Sequence, residues 1–138
     1  MLRWRRWSAC SLCEQRYHGV VACALGWACW KTYLGRLEGN SDRIDAMMVL
    51  GNGLYAVNRH EDALPVREAE LSMRRRLGDA EHNILVAQSN LAITYQALGR
   101  FEPALRMRRD AYSKRLGLDG ADGRDTLAAA LNYASSLW

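Results

Sequence analysis

The sequence predicts an all-α fold, a helix-turn-helix repeat solenoid of about two and a half units. Three observations carry that reading. The 138-residue chain is rich in Leu, Ala and Arg, has two prolines, and almost lacks Val, Ile and Thr runs outside Val20-Val21. Such a composition favours helix over sheet. The stretch 85–106 places Leu85, Ala87, Leu91, Ala92, Tyr95 and Leu98 before Gly99, then resumes apolar spacing at Ala104 and Leu105. Spacings of three and four on either side of a glycine describe two amphipathic helices joined by a tight turn. Finally, the pattern recurs. Moved back by one constant lag, Leu85, Ala87, Leu91, Arg100, Glu102, Ala104, Leu105 and Arg108 fall on Ile44, Ala46, Leu50, Arg59, Glu61, Ala63, Leu64 and Arg67. Moved forward by a lag one position longer, Leu85, Ala87, Asn90 and Ala92 fall on Leu127, Ala129, Asn132 and Ala134. Each unit is too small to bury its own apolar face, so units of this kind must stack.

Taken in order, the chain opens with a segment, 1–30, that stands apart from the repeat region at 31–138. Arg3, Arg5, Arg6 and Arg16 lie among Trp4 and Trp7, and an apolar run follows from Val20 to Trp30. A basic start before an apolar run has the outline of a targeting segment, but the run is about half the ~20 residues a bilayer span needs. The preferred reading is a partly helical segment packing on the first clear repeat; a poorly ordered segment is the alternative. All four cysteines lie here, Cys10, Cys13, Cys23 and Cys29. Cys10 and Cys13 make one CxxC, but the spacing of Cys23 and Cys29 is wrong for a second, so a zinc site completed by His18 is disfavoured. Free thiols imply a reducing compartment, the cytoplasm.

Helical pattern then runs over 20–37 and stops at Gly39-Asn40, with Asn40, Ser41 and Asp42 supplying capping oxygens for the next helix. Helices are expected over 43–57 and 61–77, separated by Asn58-Arg59 and ended by Gly78. The next pair spans 83–98 and 102–116. After Gly117 comes the loop LDGADGRD, where Asp125 or Thr126 would cap a last helix. Pro65 and Pro103 fall near helix starts, where a missing N–H is tolerated. Gly99, and Asn58 at the matching position, are expected in the left-handed conformation. Ala92, Gly51 and Ala134, faced by Ala63 and Ala104, allow close approach within pairs.

This unit resembles the tetratricopeptide repeat, in the form of about 42 residues found in kinesin light chain proteins. The resemblance rests on Asn90-Leu91-Ala92, Tyr95, Leu98-Gly99-Arg100, Glu102, Ala104-Leu105 and Arg108, with Leu77-Gly78 and His82 and the loop before Leu127. It covers about 31–138, closely over 85–117 and moderately over 44–78, with half a unit at the end. Val49 stands where the family has asparagine, Asn58 replaces the turn glycine, and Asn83 replaces a proline. The resemblance implies a right-handed superhelix whose first helices line a concave groove.

It also implies a non-catalytic module that binds a peptide or partner protein in that groove. Asn90 and Asn132 stand where the family bonds a bound peptide's backbone. A carboxamide suits this because it offers a donor and an acceptor together. Ser89, Ile93, Gln96 and Ser135 are the groove neighbours that would set specificity. The alternatives are that these asparagines bond a neighbouring helix, and that the chain is a stacking or self-association piece of a longer array, a homo-oligomer through its exposed terminal helices.

No enzyme, metal or cofactor site is expected. His18, His60 and His82 lack a paired carboxylate at useful spacing, and His60-Glu61-Asp62 reads as a helix start favoured by the dipole. The glycines at 117, 120 and 123 lack the lysine of a phosphate loop. A net charge of +4 is modest. Arg67, Arg74, Arg75, Arg76, Arg106, Arg108, Arg109, Lys114 and Arg115 are mixed with Glu68, Glu70 and Asp110, without stacking aromatics. That pattern predicts a solvated face, with Glu70–Arg74 at ion-pair spacing, and neither a nucleic-acid nor a membrane partner.

Overall fold

A computed structural model describes residues 2–37 and 40–137, with side chains from Trp4 onward. Among them it contains helices α1 (Leu2–Arg5), α2 (Gly19–Tyr33), α3 (Ser41–Ala56), α4 (His60–Arg76), α5 (Glu81–Ala97), α6 (Phe101–Asp119) and α7 (Arg124–Ser135). One isolated bridge joins Ala9 and Arg16. The all-α repeat expected from the sequence is what forms. Gly39, expected to stop the second helix, and Trp138, in the last, lie outside the described residues. The chain divides into two compact units, Met1–Gly78 and Asp79–Trp138.

In the first unit α2 packs along α3, and α3 along α4. The expected boundary after residue 30 falls inside α2, whose Cys29 and Tyr33 share a core with Ala46 of α3. Trp4, Trp7 and Trp30 pack against that core, with the Trp4 and Tyr33 rings 5.1 Å apart. The N-terminal tryptophans therefore serve as a cover for apolar surface. The α2–α3 crossing is set by glycine. A Cβ on Gly53 would sit 2.7 Å from the Ala22 carbonyl oxygen, and one on Gly26 would sit 3.0 Å from that of Val49. Both obstacles are backbone, so a side chain at Gly53 would force the helices apart at a cost of about 1–3 kcal/mol.

Local signals explain the helix ends. The Asn40 side chain accepts from the Asp42 N–H at 2.9 Å, as a capping residue should. Asn58 and Gly99 both take positive φ, +61° and +73°. The N–H of the residue after each reaches back to Leu54 and Tyr95 carbonyls at 3.0 and 2.8 Å, which closes the helix in a Schellman motif. Two expectations need correcting. Neither Asp125 nor Thr126 caps α7: Gly123 holds the cap position, and the buried Thr126 hydroxyl donates to the Arg115 carbonyl at 3.1 Å. Pro65 is the sixth residue of α4, past the turn whose amides lack acceptors, so it forgoes an internal bond to the Glu61 carbonyl.

In the second unit α6 packs against both α5 and α7. Leu85 and Leu91 of α5 are almost wholly buried, each stabilising the fold by about 1.5–3 kcal/mol. Gln88 is as buried, and its amide donates to the Met107 carbonyl at 2.8 Å and to Asp110 at 2.9 Å. Ala92 and Ala104 are buried between the helices, as their size predicts, whereas Ala134 is exposed and Tyr95 is half-buried.

Candidate functional site

The second unit presents two adjoining hollows on one side of α5. Ser89, Ile93 and Gln96 lie at i, i+4 and i+7, so they form one stripe about 10 Å long. The smaller hollow, about 20 Å³, is lined by Ser89 and Ile93 of α5, Arg108 and Ala111 of α6, and Ala129 and Asn132 of α7. The larger, about 330 Å³, is lined by Gln96, Phe101, Ala104, Arg108, Ser135, Ser136 and Leu137. Arg108 belongs to both. Together they make a groove with α5 on one wall, α7 on the other and α6 as the floor.

Five of the six residues named from the sequence meet here: Ser89, Ile93, Gln96, Asn132 and Ser135. Asn90 does not. It sits about 100° round α5 from Ser89, half-buried, and lines neither hollow. The Ser89 hydroxyl donates to the Leu85 carbonyl, and the Ser135 and Ser136 hydroxyls donate to that of Asn132. Arg108 holds α7 to α6 by donating to the Ser136 hydroxyl. Tyr112 of α6 and Tyr133 of α7 stack with centroids 6.2 Å apart. Arg108, Phe101 and Leu137 are groove residues the sequence reading missed. Arg108 carried a signal, because the repeat places an arginine at the matching position, Arg67.

The arginine-rich second helices are not simply a solvated face. Arg67, Arg74 and Arg115 are buried, each no more than 8% exposed. In the first unit Arg74 bonds Glu70 at 2.8 Å and Asp45 at 2.9 Å. Burial pushes the Glu70 carboxyl above its ordinary range, against the pull of the Arg74 hydrogen bond and charge, and lowers Arg67. Arg67 donates to Asn52 at 3.0 Å and lies over the Tyr55 ring. In the second unit Arg115 faces Asp119, Asp125 and His82 at 3.2–3.7 Å, which ties the start of α5 and the start of α7 to α6. These arginines are structural.

The cysteines divide likewise. Cys29 is buried and its thiol is pushed up to about 12 by that burial. Cys10 lies in the loop before α2, where the backbone amides of Cys13 and Leu12 lower its thiol. Among the described residues no three His, Cys, Asp or Glu side chains converge as a metal site would require. Nor is any described helix long and apolar enough to cross a membrane.

The tetratricopeptide repeat family model matches residues 42–116, just over half of the chain. The chain belongs to the tetratricopeptide repeat family. The matched span holds the two hairpins α3–α4 and α5–α6, so each is one complete repeat, and α7 lies beyond it. Tetratricopeptide repeats generally mediate protein–protein interaction. No curated protein and no solved structure gives a significant match to the chain.

Proposed function

We propose that this tetratricopeptide protein is a non-catalytic interaction module, which holds an extended peptide segment of a partner protein between α5 and α7. The observation that carries the reading is the convergence of Ser89, Ile93, Gln96, Asn132 and Ser135 on one groove. The α5 wall, about 10 Å long, matches about three residues of extended chain at ~3.3 Å each. The larger hollow, edged by Phe101 and Leu137, suits an apolar side chain. Arg108 at the centre suits a neighbouring carboxylate through charge-assisted hydrogen bonds. Asn132 supplies the carboxamide that can match a peptide unit from one wall. Asn90, on the flank of α5, would contact peptide extending past the groove.

The near-constant lag between hairpins supports grouping the module with the kinesin light chain type of repeat. Its unpaired cysteines support a reducing, cytoplasmic setting. A peptide-library capture experiment tests the groove. Ile93→Glu, at a partly exposed position, is expected to abolish capture while helical content is unchanged. Asn90→Ala is expected to weaken it only a few-fold. Full capture by Ile93→Glu would remove the groove from consideration.

A further inference from the structure

The loop between α1 and α2 carries sulfur chemistry that peptide binding does not use. It is folded as a small hairpin. The Cys10 N–H donates to the Gln15 carbonyl and the Tyr17 N–H to that of Ser8, both at 2.9 Å, on either side of the Ala9–Arg16 bridge. At the tip the Glu14 N–H returns to the Cys10 carbonyl at 3.0 Å, so residues 10–14 close a single turn of helical type. Glu14 ends that turn with a φ of +60°. Cys10 opens the turn and Cys13 lies three residues on. Three steps of helical backbone put two Cα atoms about 5 Å apart, within the roughly 4.4–6.8 Å that a disulfide spans.

Donors converge on the Cys10 sulfur. It accepts from the Leu12 N–H at 3.4 Å, and the Cys13 N–H, the Cys13 thiol and the Tyr17 hydroxyl are also within its reach. Hydrogen bonds aimed at a sulfur favour its thiolate, the nucleophilic form. Cys10 is half-exposed, Cys13 is exposed, and both thiols are free. The other two cysteines face apolar surroundings. Cys29 is buried with Tyr33 and Ala46, and Cys23 packs against Leu50, Leu54 and Ala63. Burial of that kind disfavours a thiolate.

We propose that Cys10 and Cys13 form a reversible dithiol–disulfide pair that exchanges with small-molecule disulfides, Cys10 attacking and Cys13 resolving. In the first step the Cys10 thiol gives its proton to water and the thiolate attacks one sulfur of the small disulfide. A mixed disulfide forms on Cys10, the old S–S bond breaks, and the departing thiolate takes a proton from water. In the second step the Cys13 thiol gives up its proton and its sulfur attacks Cys10 Sγ. The Cys10–Cys13 bond forms, the mixed disulfide breaks, and the second small thiol leaves. The two protein thiols lose two electrons, and the small disulfide is reduced to two thiols. The pair belongs to the first unit and the peptide groove to the second, so the two proposals stand or fall separately.

The test uses the full chain, reduced, freed of reductant without air, and then exposed to glutathione disulfide. Mass spectrometry is expected to show the loss of two hydrogens with no glutathione retained. Trypsin should place the new bond within the single peptide 7–16, which holds both cysteines between Arg6 and Arg16. Cys13→Ser should stop one step earlier, with glutathione held on Cys10. A separate measurement on the unaltered chain keeps the proposal testable if that variant fails to fold. Limiting iodoacetamide at neutral pH should label Cys10 about tenfold or more faster than Cys23, which is also half-buried. In strong denaturant the advantage should vanish, because the folded hairpin supplies it. Wild type that retains glutathione overturns the proposal, since the pair would then not close. Equal labelling of Cys10 and Cys23 in the folded chain overturns it as well.

Discussion

The first and second units solve the same three positions in opposite ways. Arg67, Asn52 and Tyr55 in the first are matched, one repeat further on, by Arg108, Ile93 and Gln96 in the second. In the first unit the arginine is folded down. Asn52 accepts its hydrogen bond at 3.0 Å, Tyr55 takes its cationic face at 5.1 Å, and Gly51 leaves room for its stem. In the second, Ile93 offers no amide acceptor and Gln96 no ring, and Ala92 stands where Gly51 left space. Arg108 instead reaches to Ser136, and hollows form around it. One scaffold thus has a closed copy and an open copy of the same site. What distinguishes the closed copy is the residues at three positions, Gly51, Asn52 and Tyr55 against Ala92, Ile93 and Gln96.

The deeper polar layer differs too. Glu70 and Asp45, which neutralise Arg74, correspond to Ala111 and Val86, so Arg115 finds its acids at the end of its own helix and in the first turn of α7. Removing Glu70 leaves Arg74 buried with Asp45. Because Asp45 still pairs with Arg74, Glu70→Ala is expected to destabilise the first unit by about 1.5–3 kcal/mol, the worth of a hydrogen bond to a charged group. Denaturant unfolding followed by helical signal measures it, and a loss below about 1 kcal/mol would mean the pair behaves as a solvated surface bridge. The closed and open copies are compared directly by the triple substitution Ala92→Gly, Ile93→Asn and Gln96→Tyr. It should fold Arg108 down as Arg67 is folded, and reduce peptide capture by about tenfold, or about 1.4 kcal/mol. Retained capture would show that the groove does not depend on where Arg108 lies.

Much of this was legible in the sequence. The near-constant lag located five of the helices to within a few residues, because apolar period and turn chemistry both mark a hairpin. The groove stripe Ser89, Ile93 and Gln96 was legible for the same reason, as spacing fixes which side chains share a face. The fate of the arginines was not. Whether a basic side chain on a second helix is solvated depends on acids and rings supplied by another helix, such as Asp45 and Tyr55, and helical spacing is blind to those. The contribution of α2 was also hard to read, since its core-facing stripe uses glycine and cysteine rather than leucine. Asn90 lies about 100° round α5 from Ser89 and lines neither hollow, a difference that spacing along one helix does not decide by itself.

The smallest expected difference between the copies lies at their turns. Asn58 and Gly99 close the two first helices with the same backward hydrogen bonds and nearly the same positive φ. A left-handed residue with a Cβ costs about 1–2 kcal/mol in general, less for asparagine, whose side chain bonds locally. Glycine avoids that cost but loses more freedom on folding, by about 0.5–1 kcal/mol. The two nearly cancel, so Asn58→Gly should stabilise the first unit by no more than about 0.5 kcal/mol. Gly99→Asn should cost the second unit a similar amount. Asn58→Ala keeps the Cβ without the local bonds and should cost about 1 kcal/mol. Equilibrium unfolding of the three variants orders them. If Asn58→Ala matched wild type, the left-handed turn of the first unit would not be held as the second unit's is, and the equivalence of the two hairpins would fail at its simplest point.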